Sequence, residues 1–240
     1  IMPLPKIATP TYELVLPSTG KTIKYRPFLV KEEKILILAL ESEDPKQITN
    51  AIKTTLKSCI STRGIKVEDL PTFDIEYIFL NIRGKSVGES IDVLVTCPDD
   101  GETQVEHKIY IDEIKIEKDE KHSPDIKLDH SLTLRMKYPS LNEFVKNNFN
   151  ISDDNTLQAS MDIIVSCIDV VYSEDESWAA ADCTKKELDE WLGTLNTSQF
   201  KEIEYFFETM PKLTHKVKIM NPNTKVESEV TLEGLTSFFG

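Results

Sequence analysis

At 240 residues, 40% of them hydrophobic, the chain is long enough to bury a core in one large domain or two small ones. Its formal charge of −13, from 28 basic and 41 acidic residues, argues against nucleic acid as a main partner, because phosphate backbones need a basic face. The acidic surplus favours solubility and a basic protein partner, no run of 18 apolar residues marks a membrane span, and the opening IMPLPKIATP lacks the blocks of a secretory signal.

Taken in chain order, the first predicted element is a β-hairpin from Tyr12 to Tyr25 with Pro17-Ser18-Thr19-Gly20 as its turn. Arg26-Pro27-Phe28 then leads into a charged helical turn, Lys31-Glu32-Glu33-Lys34, followed by Ile35, Leu36, Leu38 and Leu40, expected to be buried. Asp44 is placed to cap a second helix with Pro45 at its first position and Ile48, Ile52, Leu56 and Cys59 or Ile60 as its inner stripe. Pro71 opens a third, in which Ile75, Ile78, Phe79 and Ile82 recur at helical spacing and Gly84 reads as the C-terminal cap. A second hairpin runs from Ile91 to Ile111, turning at Cys97-Pro98-Asp99-Asp100-Gly101.

The stretch IKIEKDEKHSPDIK, 114–127, is the most polar of the chain. It sets the expected organisation: an α+β region over 1–118 with two hairpins, a polar loop or linker over 119–130, and a mainly helical region over 131–240 closed by a hairpin. Within the last region a strand is predicted over Ser131–Lys137, and a helix from about Asp154 to Tyr172 burying Leu157, Met161, Ile164, Val165 and Ile168. Ser140 with Glu143, and Thr184 with Glu187, fit the capping box. A helix pair carries Leu188, Trp191, Leu192 and Leu195, then Phe200, Ile203, Phe206 and Phe207. The third hairpin, Leu213 to Leu232, turns at Asn221-Pro222-Asn223; its likeness to the second reads as a weak internal repeat or as shared hairpin grammar. Strands and helices are grouped rather than alternating, which favours an α+β fold.

Chemistry is sparse. Arg83-Gly84-Lys85-Ser86 resembles the end of a phosphate-binding loop, but Phe79 stands where that loop needs glycine and a helix precedes it where a strand is required. Cys59, Cys97, Cys167 and Cys183 form no CxxC pair, and Cys59 and Cys167 fall on apolar stripes as reduced, buried thiols. Cys97 and His107 in the second hairpin, with only Asn221 and Asn223 in the third, fall short of four zinc ligands. His107, His122, His130 and His215 occur in no hydrolase signature, and the pairs Asp99-Asp100 and Asp153-Asp154 sit where turns and caps use them. No catalytic, cofactor-binding or metal residue is assigned. The interface candidates are Arg26, Phe28, Lys31, Glu32, Glu33 and Trp178, because Arg and aromatic residues anchor interfaces and Pro27 stiffens the segment. The charged turn reads equally well as a solvated first helical turn. Phe238-Phe239 is either a further anchor or packing beneath the third hairpin.

Thr22–Asp44 (TIKYRPFLVKEEKILILALESED), the preceding turn Leu16–Lys21, FLNIRGKSVGE (Phe79–Glu89) and GLTSFF (Gly234–Phe239) together resemble the baseplate hub proteins of T-even-like contractile-tailed phages. The resemblance implies a non-enzymatic hub component, or a transient hub assembly chaperone absent from the virion, that docks other hub and tail proteins and admits a homo-oligomer. It implies a location in the virion tail baseplate, in the host cytoplasm during assembly, or both. Some relatives resemble zinc knuckles, with cysteine pairs at such hairpin turns. This chain keeps one cysteine in the second turn and none in the third, so a binding module with a degenerate metal site is a further alternative and no cofactor is expected.

Overall fold

The computed structural model describes residues 7–42, 44–141, 156–234 and 237. The fold is α+β and divides into two compact units, Ile1–Glu117 with Lys212–Gly240, and Lys118–Pro211.

In the first unit, β1 (Tyr12–Val15) and β2 (Thr22–Tyr25) pair antiparallel with Leu14 opposite Ile23, both facing inward. The turn between them is tied down from outside: the Ser18 N–H donates to the buried Asp74 carboxylate at 3.0 Å, and the Ser18 hydroxyl donates to its other oxygen. Three helices follow, α1 (Val30–Glu41), α2 (Pro45–Cys59) and α3 (Thr72–Val87). α3 is the central one, with Phe73, Ile75, Ile78, Leu80 and Ile82 all buried. Gly84 does not cap it. A Cβ there would stand 2.6 Å from Ile111 Cδ1, so the glycine admits close packing inside the helix, and the cap is Gly88 at φ +151°.

The second hairpin is β3 (Ser90–Thr96) with β4 (Gln104–Tyr110), as expected. The short β5 (Lys115–Glu117) arises from the stretch read as polar linker. The region 119–130 likewise carries a strand, β6 (Asp125–Lys127), and a buried residue, His122.

In the second unit, β6, β7 (Thr133–Met136), β8 (Ile168–Tyr172) and β9 (Ser177–Ala179) form an antiparallel sheet in that order. Helices α4 (Thr156–Ser166), α5 (Lys185–Leu192) and α6 (Thr197–Thr209) share its core, in which Leu134, Met136, Ile164, Val165, Leu192, Ile203 and Phe206 are buried together. The expected helix to Tyr172 therefore stops at Ser166. Ile-Asp-Val-Val-Tyr is rich in β-branched and aromatic residues and finds a strand partner on each side, which outweighs helical spacing. Thr184 and Glu187 form the expected capping box, and Asn196 with Gln199 forms another. Ring nitrogens of His122 lie 2.9 Å from Thr209 Oγ1 and 2.9 Å from Tyr138 Oη, with Phe206 beside the ring.

The third hairpin, β10 (Lys212–Met220) with β11 (Glu227–Glu233), belongs to the first unit rather than closing 131–240, because β10 also pairs with β5 through Leu213 and Ile116. Glu143, Asp153, Asp154, Phe238 and Phe239, and the side chains of Leu40 and Leu157, lie outside the described residues.

Candidate interaction surface

The segment between β2 and α1 is fixed before any side chain reaches solvent. The Arg26 N–H donates to the Cys59 carbonyl at 2.9 Å and the Ser61 N–H to the Lys24 carbonyl at 2.8 Å, stitching β2 to the end of α2. The Phe28 N–H donates to Ser86 Oγ at 3.0 Å, joining the corner to the last turn of α3, where exposed Val87 follows. Phe28 itself is half-buried and Pro27 buried.

Two of the predicted anchors turn inward and lock this corner. Glu32 is 2% exposed. Its Oε1 accepts from Arg26 Nη2 at 2.9 Å, and its Oε2 accepts from the Leu29 N–H at 2.8 Å. Leu29 precedes the first helical residue and Glu32 is the third, so the carboxylate satisfies the backbone as the glutamate half of a capping box does. Arg26 Nη1 donates to the Pro27 carbonyl at 2.8 Å. Burial pushes the Glu32 carboxyl up, but the Arg26 and Leu29 hydrogen bonds outweigh it and hold the group below its ordinary value. Burial pushes the neighbouring Cys59 thiol up to about 11, which leaves it an inert core group.

With Glu32 and Ala39 facing the core, seven residues apart on one side of α1, the opposite side must face water. Lys31 and Glu33 are exposed on its flanks; Ile35 (41%) and Leu38 (55%) are exposed where burial was expected, Leu36 is half-buried, and Val30 (79%) and Ile37 (49%) also face water. Sequence reasoning missed this face because it counted apolar residues without fixing which side the Arg26–Glu32 pair selects. The available signal was a glutamate at the third helical position. Trp178 belongs to the second unit, exposed on the edge strand β9 opposite Val171.

The turns of the second and third hairpins meet. Both are closed by the same bond, Gly101 N–H to the Cys97 carbonyl and Lys225 N–H to the Asn221 carbonyl, each 2.9 Å, with Gly101 and Lys225 at positive φ. Buried Asn221 donates its amide to Asp99 at 3.1 Å and Asp100 at 2.8 Å, Thr224 donates to Asp99, and Asn223 donates to Thr103 Oγ1 at 3.0 Å. Hydrogen bonds from Thr103 hold the Asp100 carboxyl far below its usual range, and bonds from Thr224 and Asn221 lower Asp99. Tetrahedral zinc needs four convergent ligands. Here the carboxylates are turned to amide and hydroxyl donors, and among the described residues no group of three or more His, Cys, Asp or Glu side chains is placed to hold a metal. These residues do not fit zinc.

The structure thus defines an α+β fold of two units in which, among the described residues, α1 carries the longest exposed apolar run. The chain matches the family described as "T4 bacteriophage base plate protein" over residues 9–240, and belongs to it. No curated protein and no solved structure matches. Among the described residues no helix is long and apolar enough to cross a membrane.

Proposed function

We propose that this baseplate protein is a non-enzymatic component or assembly factor of the baseplate hub, acting by docking to other hub and tail proteins. The observation that carries the reading is the water-facing apolar side of α1, bearing Val30, Ile37 and Leu38 on a corner locked by Arg26 and Glu32. Free apolar surface of this kind on a rigid support is characteristic of an assembly contact. Phe28, Lys31 and Glu33 border the face, and Trp178 is the second unit's candidate anchor. Arg26 and Glu32 hold the surface in shape rather than touch a partner.

The experiment is affinity capture of tagged protein from infected cells, with wild type beside Ile37→Glu/Leu38→Glu, coupled to proteomics of purified particles. Wild type is expected to bring down hub proteins and the variant to lose them while remaining folded. Presence in mature particles assigns a structural subunit; presence only in assembly intermediates assigns a chaperone. Capture that is unchanged in the variant refutes the α1 contact, and association with no tail protein in either fraction refutes the hub role.

A further inference from the structure

The exposed side of α1 carries a charge pattern that reverses about its own midpoint. Residues advance about 100° each along a helix, so Val30, Lys34, Ile37 and Glu41 follow one outward line, with Leu38 adjacent. Lys34 stands three residues before Ile37, and Glu41 three residues after Leu38. A second α1 laid antiparallel, with the two-fold axis between Ile37 and Leu38, sets each Lys34 against the partner's Glu41 and stacks four apolar side chains between the two ion pairs. A parallel arrangement would instead set lysine beside lysine and glutamate beside glutamate. Neither Lys34 nor Glu41 has an ion-pair partner among the described residues, and both are exposed.

We propose that this face pairs two copies of the chain, α1 antiparallel to α1. The proposal rests on the reading of α1 as an assembly contact and names its first occupant. Self-complementarity of this kind is what a closed two-fold interface requires, since each residue then meets its counterpart twice. The antiparallel order also sets opposite ends of the two helix dipoles together. A helix of 12 residues is about 18 Å long, too short to bury the roughly 800 Å² per partner of a stable complex. The pair is therefore weak in dilute solution, with a dissociation constant on the order of 100 µM, and strengthens where assembly raises the local concentration.

The test is sedimentation of the full chain across about 10 to 500 µM. Wild type is expected to form a reversible dimer. Lys34→Glu and Glu41→Lys are each expected to weaken it about tenfold, since both symmetric pairs become repulsive. Mixing the two single variants is the decisive arm. One then carries two acidic positions and the other two basic ones, so both contacts regain opposite charges and a heterodimer forms at concentrations where each variant alone is largely monomeric. The substituted side chains are exposed, and an unchanged circular-dichroism spectrum establishes that each variant is folded. A monomer at every concentration, single variants that dimerise as wild type does, or a mixture that stays monomeric overturns the proposal. A monomer that still captures hub proteins refutes self-pairing alone, whereas a dimer that captures none refutes the docking role alone.

Discussion

Replacing Arg26 by alanine should damage the fold rather than any partner contact. The Glu32 side chain is 3% exposed and its Oε1 lies 2.9 Å from Arg26 Nη2. Without the guanidinium, Glu32 keeps the Leu29 N–H and the exposed Lys31 ammonium at 3.4 Å but loses the closer cation that does most to offset its burial. Removing one partner of a buried pair costs about 3–5 kcal/mol; because the Arg26 side chain is 22% exposed, water enters part of the gap, and a loss of about 2–4 kcal/mol is expected. The assay is urea unfolding of wild type, Arg26→Ala, Glu32→Gln and the double variant. The pair's coupling follows from the double-mutant cycle. The pH dependence adds a sign that a simple packing loss would lack. In wild type the lowered Glu32 value contributes stability that is present above the unfolded value, about 4.3, and is lost as pH falls through the folded one. In Arg26→Ala burial dominates and raises the carboxyl, so the variant's deficit should be larger at neutral pH than in mild acid. A deficit below about 1 kcal/mol, or one independent of pH, would refute the locking role.

Gly84→Ala should cost about 1–3 kcal/mol through the 2.6 Å approach to Ile111 Cδ1, and Ile111→Val, which removes that carbon, should recover part of the loss in thermal or urea melts. Asn221→Ala should destabilise the joined hairpin turns by about 1–3 kcal/mol, while a zinc chelator leaves the wild-type melting curve in place; a melting shift on chelation would contradict the hydrogen-bonded description of the turns. His122 is lowered by burial, with Lys118 adding to the effect, so its contribution is complete above the unfolded value of about 6.5 and is lost as pH falls toward the folded value. The Thr209 hydroxyl donates to the Tyr205 carbonyl, which leaves its oxygen to accept from His122 Nδ1–H and sets Nε2 to accept from Tyr138; NMR titration should find His122 neutral in ordinary buffer, and Thr209→Val, which removes an acceptor without relieving burial, should leave its value low.

The parts of the fold legible in the sequence are those written in local chemistry. All three hairpins were marked by alternation between Pro, Gly and Asn turns, and α2 and α3 by their apolar stripes. What failed depended on partners distant in sequence. Ile164, Val165 and Ile168 keep helical spacing, yet Ile168 is claimed by β7 and its neighbours by β9. Nothing local in Lys115–Glu117 announces that its partner is Lys212–Thr214. The candidate surface divided in the same way: Lys31 and Glu33 are exposed as a charged first turn should be, whereas the burial of Glu32 and the outward turn of Ile37 and Leu38 follow from an arginine six residues upstream.

The pairing of β5 with β10 also imposes an order on synthesis. The second unit is an insertion within the first, so a ribosome delivers all of Lys118–Pro211 before the strand that completes the earlier layer has been made. A nascent chain can close the later core while the earlier one still waits for its final hairpin. Truncation before Lys212 would leave one half with every strand it needs and the other with an open edge along β5.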